Sequence, residues 1–333
     1  MTVGKTYPAP PFDAELAELL ASSRVPPTMD IERMVRNRSV SQVPPVEDLL
    51  AARDLVREDR TAPGLEGSPD IILSIFRKRT HTSSGPGIYY IHGGGMVVGD
   101  RFTSIDRALE WVQLFDAVAI SVEYRLAPEH PDPAPVNDCF AGLLWAAAHA
   151  TELGFDAGRL IIAGGSAGAG LAAGAALMAR DKGGPALAAQ ILIGPMIDDR
   201  NDTISSHQID GIGVWDRISN QSGWDALLGP RRGTDQVSIY AAPARATDLS
   251  GLPPTYIDCG SAEVFRDEDI AYAMGIWAAG GVANLHVWAG AHHGFDTIFP
   301  SAALSIAARR TRSEFIRRIL GLPETAPASA SPT

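Results

Sequence analysis

From about residue 70 onward, short apolar runs alternate with longer stretches whose apolar positions recur every three to four residues. Runs at 71–77, 87–91, 117–122, 160–163, 188–193, 255–259 and 284–287 predict strands. Several are apolar throughout, the pattern of strands covered on both faces. Helices are predicted at 103–114, 133–149, 167–180, 262–279 and 301–320. This alternation implies an α/β fold with a mostly parallel sheet and helices on both sides. Ahead of it lie three short helical patterns, at 13–22, 30–37 and 46–57. A turn rich in Gly and Pro at 61–69 then leads into the first strand.

Residues 198–245 break the alternation. They are polar and irregular, carry Trp215 and Trp224, and predict one short helix at 219–228. An insertion of that length after a strand commonly carries function in an α/β enzyme. The expected organisation is a helical cap from 1–50 and 198–245, a catalytic core from 51–197 and 246–322, and a disordered tail at 323–333, which is rich in Pro, Ala and Ser.

Composition narrows the function classes. The 333 residues carry a formal net charge of −11, which argues against nucleic acid or an anionic membrane as the main partner. No stretch of eighteen apolar residues occurs, and the N-terminus lacks the basic and apolar regions of a signal peptide. No integral membrane association is expected. The two cysteines, Cys139 and Cys259, form no C-x-x-C pair or metal-ligand spacing. Reduced buried thiols and a cytoplasmic location are therefore expected, with no metal or organic cofactor.

Two motifs carry chemistry. Gly164-Gly165-Ser166-Ala167-Gly168 follows an apolar strand and opens a helix, the setting of a G-x-S-x-G turn that exposes a serine hydroxyl. Upstream, His92-Gly93-Gly94-Gly95 follows another strand, where backbone N–H groups can face a developing oxyanion. Gly168, Gly170 and Gly174 imitate a dinucleotide loop. Their spacing is wrong, however, and no acidic residue ends a strand about twenty residues on. A nucleophilic serine needs a base and an orienting acid, in the chain order Ser, Asp or Glu, His for this architecture. His207, His286, His292 and His293 lie after Ser166. His286 alternates within a strand, whereas the loop Gly290-Ala291-His292-His293-Gly294-Phe295 follows that strand's C-terminal end.

Taken with Glu123-Tyr124-Arg125-Leu126-Ala127-Pro128-Glu129-His130-Pro131, these motifs resemble the hormone-sensitive-lipase family, a group of α/β-hydrolases. The resemblance spans about residues 70–320, in the family's order and spacing. It implies the α/β-hydrolase fold and hydrolysis of carboxylic esters with short to medium acyl chains, through an acyl-enzyme. The family's histidine precedes Gly-Phe, which selects His293. Aligning Arg266-Asp267-Glu268 with the family's Arg-Asp-Glu puts Glu263 at the acid position. Asp267 becomes a decoy about one helical turn on, and Asp258 is the other competitor. The implied oxyanion donors are the N–H groups of Gly94, Gly95 and Ala167.

Glu123, Arg125 and Glu129 are expected to pair structurally. Gly165 departs from the family, which commonly has Asp there, and it leaves substrate preference open. Met34, Met96, Ile209, Ile212, Val214 and Trp215 are candidate substrate-binding residues. The expected partner is a small-molecule ester, and the family's habit adds a homodimer through the last strand and helix. Rival functions are an amidase or deacylase of a secondary metabolite, and a non-catalytic small-molecule receptor; the latter typically lacks the histidine.

Overall fold

The computed structural model describes residues 7–38, 46–65, 67–82 and 84–323. Its centre is an eight-stranded sheet: β1 (Leu55–Ala62), β2 (Ile71–Lys78), β3 (Gly85–Ile91), β4 (Val118–Glu123), β5 (Phe155–Gly165), β6 (Ala189–Ile193), β7 (Thr255–Gly260) and β8 (Ala283–Trp288). The spatial order is β1-β2-β4-β3-β5-β6-β7-β8. Strand β2 runs antiparallel to both β1 and β4, and the remaining neighbours are parallel.

Burial on both faces explains the apolar runs. Along β3, Tyr89 and Ile91 face the core beneath helices Ala134–Ala148, Ala167–Lys182 and Arg266–Ala278. Ile88 and Tyr90 face the opposite layer, formed by Val46–Arg53, Asp106–Phe115 and Ala303–Ile319. The two-residue period of a strand assigns alternate side chains to the two layers.

Several predicted boundaries move. The helix expected at 46–57 stops at Arg53, where Asp54 takes φ +51°, and the chain enters β1 instead. This strand escapes a hydrophobic pattern because it is an edge. Its Arg57, Glu58, Asp59 and Arg60 form ion pairs at the sheet margin, as charged edge strands commonly do. Strand β5 is longer at both ends than the predicted 160–163. The helix expected from 103 starts at Asp106, and the one expected from 262 starts at Arg266, which leaves Glu263 on a turn. The tail expected at 323–333 lies, apart from Pro323, outside the described residues, as do residues 1–6 and 39–45 of the expected cap. Among the described residues no helix is long and apolar enough to cross a membrane.

Segments from before β1 and after β6 meet above the sheet. Thr28 Oγ1 donates to Asp216 Oδ2, the Met29 N–H to Ser219 Oγ at 2.7 Å, and the Asp216 N–H to Pro27 O at 3.2 Å. Asp216 is fully buried and also caps the helix Arg217–Leu228 by accepting from Ser219 N.

Candidate active site

Five of the parallel strands deliver loops to one end of the sheet, where sites in open α/β sheets form. Strand β5 ends at Gly165, and Ser166 caps the helix Ala167–Lys182 with φ +58° and ψ −126°. That conformation is strained for a residue with a side chain, and its surroundings enforce it. The Ser166 N–H donates to Ile193 O at 2.8 Å, and its carbonyl accepts from Ala169 N, Gly170 N and Met196 N. Close approach dictates the flanking glycines: a Cβ at Gly164 would overlap the Gly168 carbonyl, and one at Gly168 would overlap the carbonyls of Ile91 and His92. Gly170 and Gly174 likewise press the helix against Met196 O and Tyr240 O, so the glycine spacing that imitated a dinucleotide loop is a packing device.

His293 follows β8 on the turn to Phe295–Ile298. Its Nε2 lies 2.9 Å from Ser166 Oγ and its Nδ1 lies 2.9 Å from Glu263 Oε1. A neutral ring protonated at Nδ1 satisfies both bonds, donating to the carboxylate and accepting from the hydroxyl. The Phe265 ring meets the imidazole edge-on at 5.0 Å. Glu263 is buried, and its Oε2 accepts the Gly260 N–H, which fixes the carboxylate plane.

The other acids are bonded elsewhere. Asp258 Oδ2 accepts from Arg312 Nε at 2.8 Å and from Trp288 Nε1 at 3.0 Å, and burial raises its pKa against the pull of Arg312. Asp267 accepts the Ser205 N–H and pairs with Arg266. Neither is hydrogen-bonded to His293.

The other histidines are also bonded away from the serine. His292 is buried with Nδ1 at 2.9 Å from His293 O, and burial lowers its pKa. His286 stacks on Tyr256 and Trp288, and His207 contacts Asp202. The charges of the 123–131 segment pair as expected: Glu123 with Arg101, Arg125 in a fork with buried Asp138, and Glu129 with Arg38.

The glycine loop curls over the serine. Gly94 and Gly95 have φ +116° and +61°, and a Cβ at Gly93 would stand 2.8 Å from Gly165 O. Among the described residues, the N–H groups of Gly94, Gly95 and Ala167 donate to no backbone or side-chain acceptor. Unpaired N–H groups beside a nucleophile form the type of arrangement that stabilises an oxyanion.

A cavity of about 210 Å³ opens above Ser166 and His293. Met34, Val214 and Trp215 line it, as does Met29, which the sequence did not single out. Three candidate pocket residues lie elsewhere. Met96 is fully buried behind the glycine loop and points toward Gly170. Ile209 is buried in the core, and Ile212 is turned to solvent.

A further wall of the cavity is polar, and no local pattern announces it. Arg107 and Arg312 share Asp296, and Arg312 also holds Asp258, in a buried ladder behind the histidine loop. Burial works to raise the Asp296 pKa, but the two guanidiniums outweigh it and hold the carboxyl well below its ordinary range. Among the described residues, no group of three or more His, Cys, Asp or Glu side chains is arranged to hold a metal ion.

The family profile of the alpha/beta hydrolase fold matches residues 88–297, from β3 to the turn beyond His293. The chain belongs to this family. Within it, the chain is of the hormone-sensitive-lipase-like type. This alpha/beta hydrolase is 35% identical over 211 residues to "Esterase LipI" of Mycobacterium tuberculosis (strain ATCC 25618 / H37Rv), covering 61% of this chain and 63% of that protein. It is 34% identical over 251 residues to "Carboxylesterase NlhH" of the same organism, covering 74% and 78% of the two chains. Among solved structures, "Bacterial Heroin Esterase" superposes with a TM-score of 0.83 at 36% identity, over 93% of this chain and 98% of that one.

Proposed function

We propose that this alpha/beta hydrolase cleaves carboxylic esters, with Ser166 as nucleophile, His293 as general base and acid, and Glu263 as the orienting carboxylate. The observation that carries the reading is the unbroken relay of two 2.9 Å hydrogen bonds from Ser166 Oγ through His293 to Glu263. His293 Nε2 takes the hydroxyl proton as Oγ bonds to the acyl carbon. The carbonyl π electrons pass to oxygen, which receives N–H bonds from Gly94, Gly95 and Ala167. Each such donor is worth on the order of 3 kcal/mol in the transition state. The imidazolium, steadied by Glu263, returns the proton to the leaving alcohol as the C–O bond breaks. Water then repeats the sequence on the acyl-enzyme, releasing the acid.

The cavity's size supports short to medium acyl chains. The bonds joining residues 27–29 to 216–219 support the expected cap of 1–50 and 198–245 over a core of 51–197 and 246–322, except at residues 46–50, whose helix Val46–Arg53 packs in the layer beneath the sheet. Cys139 and Cys259 are free and buried, which supports a reducing, cytoplasmic setting. A homodimer through β8 and the helix Ala303–Ile319 completes the reading.

The test is turnover of p-nitrophenyl butyrate, with Ser166 labelled stoichiometrically by a fluorophosphonate. Ser166→Ala and His293→Ala are each expected to abolish turnover. Full rates in either variant overturn the assignment.

A further inference from the structure

Gly165, where the family commonly has Asp, has its explanation in Arg107. A Cβ at position 165 would overlap Arg107 Nη1, so the elbow's second residue stays bare to admit a guanidinium next to the nucleophile. Arg107 comes from the helix Asp106–Phe115, is only 8% exposed, and lines the same cavity as Ser166 and His293. Its Nη2 donates to Asp296 Oδ1 at 2.7 Å and to Thr297 Oγ1. Among the described residues Nη1 makes no hydrogen bond to a protein acceptor, whereas Nε is buried and the buried Tyr90 hydroxyl lies against the same guanidinium. Nη1 is not enclosed by protein, and a guanidinium arm left unpaired where it reaches the cavity points to an acceptor that arrives with the ligand.

The rest of the cavity gives the chemistry of that acceptor. Thr103, Ser104, Arg107, Asp296 and Thr297 form a polar wall, whereas Met29, Met34, Val214 and Trp215 form an apolar one. On the polar side the formal charges of Arg107 and Arg312 are cancelled by Asp258 and Asp296, which disfavours a carboxylate and suits an uncharged oxygen. We infer that Arg107 is a specificity-determining residue that receives a neutral oxygen acceptor (ether, hydroxyl or carbonyl) on one limb of the ester, while the other limb lies against Trp215 and Val214. This inference rests on the ester-hydrolase reading and adds a substrate class to it: esters with one oxygenated limb and one hydrocarbon limb.

The experiment compares kcat/KM for isosteric pairs. On the acyl limb, p-nitrophenyl methoxyacetate is set against p-nitrophenyl butyrate after correction for their uncatalysed hydrolysis rates. On the alcohol limb, 2-methoxyethyl butyrate is set against butyl butyrate by pH-stat titration. Mono-p-nitrophenyl glutarate supplies a carboxylate. The wild-type protein is expected to prefer the oxygenated member of one pair by about 10- to 100-fold, the range for a hydrogen bond from a charged donor. That ratio, which is independent of any general loss of activity, should collapse toward one in Arg107→Lys, which keeps a cation for Asp296 but loses the second arm. Gly165→Ala, which pushes Nη1 aside and leaves the Arg107–Asp296 pair available, should lower it too. A wild-type ratio near one on both limbs, or a ratio untouched in both variants, overturns the inference. A stronger, Arg107-dependent preference for the glutarate overturns the neutral-acceptor assignment. Absence of turnover on every ester removes the hydrolase reading itself, and this one with it.

Discussion

Glu263→Gln keeps the size of the orienting residue and removes one acceptor. Glu263 makes two bonds, Oε1 with His293 Nδ1 at 2.9 Å and Oε2 with the Gly260 N–H, and both oxygens accept. A glutamine offers one acceptor and one donor. If its carbonyl takes the Gly260 N–H, its amide NH2 faces Nδ1 and forces the ring proton onto Nε2. That nitrogen then presents a proton to Ser166 Oγ and cannot take one. If the amide turns over, two donors meet at a buried position, which costs more. The first arrangement therefore prevails, and the enzyme folds with the wrong tautomer. The expected loss is about 10⁴-fold in kcat, the scale seen when an orienting carboxylate becomes an amide. That equals about 5.4 kcal/mol of transition-state stabilisation at 1.36 kcal/mol per tenfold. The assay is kcat on p-nitrophenyl butyrate per mole of folded protein, with Ser166→Ala as background. Asp267→Asn serves as the control, because that carboxylate caps Ser205 and does not touch His293. A Glu263→Gln enzyme within tenfold of the parent refutes the reasoning, as does an equal loss in Asp267→Asn.

Two buried carboxyls predict stability changes of opposite pH dependence. Asp296 is held below its ordinary pKa by Arg107 and Arg312, so its contribution is full above the unfolded-state value of about 3.9 and fades as pH falls through the folded value. Asp296→Asn should lose about 3–5 kcal/mol in urea denaturation at pH 7, with the gap to wild type narrowing below about pH 4; a constant gap contradicts the pairing. Asp269 is fully buried, with the Cys259 thiol beside its carboxyl group. Burial, then the negative charges of Glu268 and Glu263, raise its pKa well above the ordinary value. Its contribution is therefore present at low pH and is lost as pH rises toward the folded value. Asp269→Asn should gain on wild type by up to about 1.4 kcal/mol per pH unit above about pH 4, read as a Tm difference larger at pH 8 than at pH 5. A Tm difference that shrinks with pH contradicts it.

The parts legible in the sequence were those whose physics is local. The elbow at Ser166 is a five-residue steric problem, and the strands covered on both faces declare themselves as apolar runs. The other parts depend on partners far along the chain. Strand β1 carries charges because it is an edge, so its composition matches a surface helix. Arg107 reads as an ordinary charge within an amphipathic helix, since its partner Asp296 lies 189 residues away. Met29 reaches the cavity only because residues 27–29 are bonded to 216–219. Met96 shows the converse: adjacency to the glycine loop suggested a pocket residue, yet its φ of +64° turns the side chain into the core.

The bonds between Thr28 and Asp216, and between Met29 and Ser219, also decide how the protein can be re-engineered. Residues 27–34 and 203–219 behave as two halves of one interchangeable part. Exchanging 27–34 alone takes the Thr28 donor from the buried Asp216, and exchanging 203–219 alone takes the acceptors from Thr28 and the Met29 N–H, so either disturbs the ceiling of the pocket. Exchanging both together replaces Met29, Met34, Val214 and Trp215 in one step, with Ser166, Glu263 and His293 left in place. A chimera library built on paired segments should therefore yield more folded members than one that shuffles the segments independently.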